Sequence, residues 1–239
     1  MKKAGLFFFV TVCIFFTALQ TSAQNDSIRF IQAHKAALIG QFNTALPLFT
    51  RIVTHSPQME KAWRERGSCY LDLGKYKEAM SDYNMAIKLD STDGLAYENR
   101  GILYSLKKMR TEALADFSRA IKLDSSCISA YCSSGSLLNG MKRYEEAEHF
   151  YNLAIVHAPE QDKAECYCSL GYTCMQKGEY QKSVDHLSKA IELRPSYAEA
   201  YKYRADCYFD LENYQAYEND IVKLRKMDKK PAKKDWSRQ

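Results

Sequence analysis

Three observations predict an all-α solenoid, a stack of short helix pairs. A 34-residue pattern repeats from Asp26 to Pro231. Each copy holds two segments whose apolar residues recur at three- and four-residue steps. Nowhere does a run of alternating apolar and polar residues stand between turn signals. One match at one spacing carries little information, whereas a self-match at a fixed period marks units that bury their apolar faces only against copies of themselves.

The first element, residues 1–23, reads as a secretory signal peptide. Lys2 and Lys3 precede an apolar stretch from Leu6 to Leu19, and Thr21-Ser22-Ala23 places small residues where cleavage is expected. A membrane-spanning helix wants about 20 apolar residues, and this stretch is shorter. Val12 and the short apolar run before Cys13 argue against lipid attachment there. The mature chain is therefore expected to start at Gln24, to hold no transmembrane span, and to be exported, periplasmic or secreted.

The solenoid is expected over 24–231, in repeats 26–59, 60–93, 94–127, 128–161, 164–197 and 198–231, with Asp162 and Lys163 inserted as a longer turn. Trp63, Arg66, Gly67 and Tyr70 of the second repeat align with Tyr97, Arg100, Gly101 and Tyr104 of the third, and Ala79, Tyr83 and Ala86 with Ala113, Phe117 and Ala120. Gly74 ends the first helix of its repeat, and Asp90-Ser91-Thr92 the second. Pro57, Pro159 and Pro195 share the turn between repeats, where a missing amide donor does least harm. The eighth residue of every repeat is small: Ala33, Gly67, Gly101, Gly135, Gly171 and Ala205. Glycine within a helix costs roughly 0.5–1 kcal/mol relative to alanine, so its recurrence at one phase points to close approach of two helices.

The pattern resembles the tetratricopeptide repeat, W-x2-L-G-x2-Y followed by A-x3-F, A and P, over nearly the whole mature chain. That resemblance implies a right-handed superhelix of about six helix-turn-helix repeats. Arginine replaces the motif leucine in three repeats, and each such repeat carries aspartate sixteen residues later: Arg66 with Asp82, Arg100 with Asp116, Arg204 with Asp220. Repeats without the arginine hold Leu48, Phe150 or His186 at the aspartate position. The two positions change together, which predicts structural ion pairs between the two helices of one repeat.

After Cys13, seven cysteines remain, an odd number. No histidine or second C-x-x-C completes a metal-type spacing, so no metal or cofactor is expected and small buried hydrophobe is the reading for Cys69, Cys174 and Cys207. Cys132 and Cys168 share a phase in adjoining repeats and are expected to be neighbours. The histidines are expected to cap or decorate surfaces. From Arg225 to Gln239 the chain holds seven basic and two acidic residues, against a nearly neutral solenoid. The tail, 232–239, is expected to be a disordered solubilising end, with weak contact to anionic surfaces as its second reading. Without aromatics interleaved among basic residues on one folded face, nucleic-acid binding is not expected. No nucleophile elbow, dinucleotide or P-loop glycine pattern, or H-E-x-x-H occurs, and the chain is not read as an enzyme.

The resemblance implies instead a concave groove, lined by first helices, that binds a peptide segment of another protein. Carrying its phase onto this chain selects Phe30, Lys61, Arg64 and Leu71, then Glu98, Asn99, Ile102 and Leu106. A rung of small side chains follows, Cys132, Ser136 and Asn139, and the far end offers Tyr172, Met175, Lys202, Asp206 and Phe209. Charge along this series runs from basic at Lys61 and Arg64 to acidic at Glu165, Glu199, Asp206 and Asp210. The alternative is a structural assembly subunit of a cell-envelope complex, docking through its convex face or basic tail.

Overall fold

The computed structural model describes residues 24–228; the leader and the tail read from the sequence lie outside these residues. Among them the chain forms helices and turns with no strand. The helices are α1 (24–38), α2 (Phe42–His55), α3 (Glu60–Asp72), α4 (Tyr76–Leu89), α5 (Gly94–Leu106) and α6 (Arg110–Leu123), then α7 (Ile128–Gly140), α8 (Tyr144–His157), α9 (Lys163–Gln176), α10 (Tyr180–Leu193), α11 (Ala198–Asp210) and α12 (Tyr214–Asp228). Odd-numbered helices open a repeat and even-numbered ones close it. No described helix is long and apolar enough to cross a membrane. The insertion at Asp162 and Lys163 is tighter than a loop: Glu160–Asp162 make one 3-10 turn and Lys163 already belongs to α9.

Periodicity explains each element. In α4 the buried residues Ala79, Asp82, Tyr83 and Ala86 follow three- and four-residue steps, so one face is covered and the rest is wet. Within each repeat the turn residue is left-handed. It is glycine in three repeats, with φ of 73° at Gly40, 71° at Gly74 and 79° at Gly178, whereas Lys108, Lys142 and Glu212 hold 62°, 58° and 58° at the same phase. The geometry is a helix C-terminal motif: the Gly74 amide donates to the Leu71 carbonyl at 2.9 Å and the Lys75 amide to that of Tyr70 at 2.8 Å. A side chain in this region carries a steric penalty that glycine lacks. Lys142→Gly is therefore expected to stabilise the protein by about 0.5–1 kcal/mol, read as a higher urea midpoint with unchanged slope.

The chain divides into two compact units within α6, between Asp116 and Phe117. In the first, Ala33, Ala45, Phe49, Ile52, Ala62 and Cys69 form one core, and Ala79, Tyr83 and Leu103 another. In the second, Tyr131, Ala154 and Cys166 pack together, as do Cys168, Val184, Leu187, Ala190, Ala200 and Cys207. In the first unit α2 packs on α3, α3 on α4 and α4 on α5; in the second each of α7 to α11 packs on the helix that follows it, and α9 also touches both α7 and α11, so these first helices line up as one wall.

The close approach anticipated from the eighth-position glycines is present. A Cβ on Gly67 would lie 2.8 Å from the Tyr83 ring, on Gly135 2.7 Å from Tyr151 Cζ, and on Gly171 2.6 Å from Leu187 Cγ. Each large side chain comes from the closing helix of the same repeat, sixteen residues on. The missing side chain is the seat for that residue.

Candidate functional site

On the wall made by α7, α9 and α11 lies a pocket of about 590 Å³. Cys132, Ser133, Ser136, Asn139 and Gly140 of α7 form its small-residue side, and Cys168, Ser169, Tyr172 and Gln176 of α9 stand across from them. Tyr197, in the turn before α11, and Glu199 and Tyr203 of α11 close it, and Tyr151 reaches in from α8. The Tyr172 and Tyr203 ring centroids are 5.0 Å apart at 45°, and the Tyr203 hydroxyl donates to Glu199 Oε1 at 2.8 Å. Asn139 Nδ2 donates to Thr173 Oγ1 at 2.8 Å, while its buried Oδ1 accepts no hydrogen bond.

This pocket gathers Cys132, Ser136, Asn139 and Tyr172 from the groove series. The other members from the second unit lie apart. Met175 packs on the α10–α11 core, Asp206 and Phe209 line a shallower hollow with Asp210 and Tyr217, and Lys202 is exposed. In the first unit Lys61 and Leu106 are exposed and Phe30, Leu71, Asn99 and Ile102 half-buried, with Asn99 Nδ2 donating to Ser68 Oγ at 3.2 Å. Two residues assigned to the open wall are not available there. Glu98 is 5% exposed. The Arg64 guanidinium is held by Asp93, which also caps α5, and by Glu65. At the acidic end Glu165 pairs with Arg194 at 3.0 Å. The graded charge read from the sequence thus loses members that the fold neutralises locally.

Sequence reasoning missed Tyr151, Ser169, Gln176, Tyr197 and Tyr203. The signal for Tyr151 was present: it occupies the ring position that sits on Gly135, and with a small fourth rung in front of it the ring edge lines the pocket. Nothing in the spacing marked Tyr197, which lies in the turn before α11.

Cys132 and Cys168 both line the pocket, but the close sulfur contact is another. Cys132 Sγ lies 3.8 Å from Cys166 Sγ. Cys166 stands at the third repeat position, held elsewhere by Ala62, Ala96, Ala130 and Ala200, where adjoining helices press together. Equal phase aligns residues along the stack; contact also depends on which faces of adjoining helices meet. The Cys132 hydrogen bond holds the Cys166 thiol below its usual range, whereas burial pushes Cys69 up to about 11 and Cys174 up to about 12. His186, expected at the surface, is half-buried and stacks on Tyr167 with ring centroids 6.3 Å apart, and burial lowers its pKa. It fills the aspartate position of a repeat whose arginine is Leu170, where a neutral ring replaces an ion pair.

The arginines are architectural. Arg66 grips Asp82 through Nε and Nη2 at 2.7 and 2.8 Å, Arg100 grips Asp116 at 2.7 and 2.9 Å, and Arg204 grips Asp220 at 2.9 and 2.7 Å. Each guanidinium lies between two rings of its own helix: Trp63 and Tyr70 at 4.9 and 5.7 Å, Tyr97 and Tyr104 at 5.5 and 5.7 Å, Tyr201 and Tyr208 at 5.5 and 5.8 Å. A third bond, absent from the sequence reading, runs back to the preceding repeat, to Asn84 Oδ1 at 2.8 Å from Arg100 and to Ser188 Oγ at 2.9 Å from Arg204. The hydrogen bond that Arg100 donates to Asp116 raises the arginine pKa further, keeping the guanidinium charged.

Tetratricopeptide-repeat models match residues 60–93, 95–127, 128–155 and 164–197, more than half of the chain. The chain belongs to the tetratricopeptide repeat family. Proteins of this family bind other proteins or peptides. It is 28% identical over 168 residues to BBSome complex member BBS4 of Bos taurus, an alignment covering 70% of this chain and 32% of that protein. The tetratricopeptide protein thus spans about a third of that curated relative. Its fold resembles the crystal structure of PilW, a widely conserved type IV pilus biogenesis factor, with TM-score 0.76, 18% identity, and coverage of 85% of this chain and 93% of that one. It also resembles YrrB, described as a TPR protein with an unusual peptide-binding site, with TM-score 0.58, 20% identity, and coverage of 75% and 91%.

Proposed function

We propose that this tetratricopeptide protein is an exported scaffold that binds a peptide segment of a partner protein on the α7–α9–α11 wall. The observation that carries this reading is the pocket of about 590 Å³, small on one side and aromatic on the other, at the mouth of which an incoming side chain meets no bulk. Ligand sites are concave, with apolar and aromatic walls and a few placed polar groups, and this pocket has that composition. Export rests on the pattern of residues 1–23, with which the likeness to a pilus biogenesis factor accords.

Gly140 supplies a test with little structural cost, because a Cβ there meets nothing within 4 Å. Gly140→Trp is expected to fill the pocket and to lower capture of partner from an envelope fraction at least tenfold, with the melting temperature unchanged. Truncation after Pro231 is expected to leave capture intact. The reverse pattern, capture lost with the tail and kept with the filled pocket, would support the assembly-subunit reading and overturn this one.

A further inference from the structure

Three times this fold holds a guanidinium between aromatic rings and a carboxylate, at Arg66, Arg100 and Arg204. The pocket on the α7–α9–α11 wall assembles the same ingredients with no arginine among its lining residues. Its aromatic side is Tyr172, Tyr197 and Tyr203, and its one formal charge is the Glu199 carboxylate, of which Tyr203 engages a single oxygen. Across from them Asn139 Oδ1 is buried and accepts nothing, an orphaned acceptor whose burial is unfavourable until a donor reaches it. Among the lining residues there is no cation. Arg194 stacks on the Tyr197 ring at 4.9 Å, but it is not a lining residue and its guanidinium pairs with Glu165.

This inventory has acceptors and ring faces in excess and no positive group to meet them. A partner carboxylate would face Glu199 with nothing to neutralise it. An ammonium group would satisfy the charge, but as a compact point it reaches one wall at a time. A guanidinium is flat, so it lies on a tyrosine face, and its five donors fork toward acceptors on two sides. We propose that the pocket takes an arginine side chain of an extended partner segment, its plane against the tyrosine rings, bonded to Glu199 and to Asn139 Oδ1. The inference rests on the peptide-binding reading above and names the chemistry of the residue that enters.

The test uses the full chain and four capped pentapeptides, Gly-Ser-Xaa-Ser-Gly, with Xaa arginine, lysine, citrulline or glutamate, followed by amide chemical shifts. Arginine is expected to give saturable shifts at Ser136, Gly140 and Tyr172 with a dissociation constant at least tenfold below that of citrulline, which keeps the shape and loses the charge. Lysine is expected to fall between them and glutamate to give no saturation. Glu199→Gln should erase the preference of arginine over citrulline, and Glu199→Asp should restore part of it. Equal binding of arginine and citrulline, a preference for glutamate, or shifts centred elsewhere would overturn the proposal. The two readings separate in the capture experiment. Capture lost in Gly140→Trp but unchanged in Glu199→Gln defeats the arginine inference alone, whereas capture unchanged in Gly140→Trp defeats the pocket as the partner site.

Discussion

Asp82→Ala is expected to destabilise the protein by about 3 kcal/mol, a loss measurable as a lowered urea midpoint. The Asp82 side chain is 3% exposed and takes both forks of Arg66, itself 13% exposed. Removing the carboxylate leaves a guanidinium that cannot deprotonate, pinned between Trp63 and Tyr70 with no counter-charge. Breaking such a pair from one side costs about 3–5 kcal/mol; the lower figure applies here because Arg66 keeps some contact with water. The double variant Arg66→Met, Asp82→Leu is expected to recover most of the loss, since a buried pair replaced by apolar residues of similar volume is often neutral. A double variant as unstable as Asp82→Ala would show that the arginine matters through its stacking or its bond to the preceding repeat rather than through the charge pair.

Gly135→Leu is the second large effect, again about 3 kcal/mol of destabilisation. A Cβ at this position would meet three Tyr151 ring atoms at 2.7–2.9 Å, and Tyr151 is 3% exposed, so the ring has nowhere to retreat without parting α7 from α8. Gly135→Ala should cost less, about 1 kcal/mol, because the helix gains alanine's propensity while the ring gives way. Calorimetric melting of the set Gly135→Leu, Gly135→Ala and Gly140→Trp checks the argument. Of two glycines five residues apart on one helix, only Gly135 should lose stability on substitution, because a Cβ at Gly140 meets nothing within 4 Å. Loss of stability in all three would mean that α7 tolerates no side chain at either position and would remove the ring contact as the cause.

Much of the architecture was legible because its causes are periodic. Glycine at the eighth position of the four inner repeats, an arginine with an aspartate sixteen residues later, and small residues at the same helical phase each report a contact that recurs, and recurrence survives in a single sequence. The pocket was legible in part. Its small side, Cys132, Ser136 and Asn139, follows from one repeat having no bulk at groove positions. Tyr197 comes from the turn before α11, Tyr203 from α11 and Tyr151 from the closing helix behind the wall, so their convergence depends on how adjoining repeats are set against each other. Arg64 shows the same limit from the other side. Its repeat phase selected it as a groove candidate, yet Asp93, from the turn before α5, reaches its guanidinium and takes it out of play.

From the sequence alone came the all-α character and the contacts internal to a repeat, since both depend on spacing along one chain and on local side-chain chemistry. Only the tertiary structure decided which residues of neighbouring repeats meet. It put Cys132 against Cys166, joined Arg100 to Asn84, and left an unanswered acceptor on Asn139 beside Glu199 and three tyrosines. The physical reason is that a repeat period sets the phase of a side chain on its helix, whereas the angle and distance between packed helices, set by the summed bulk at their crossing, choose its neighbours.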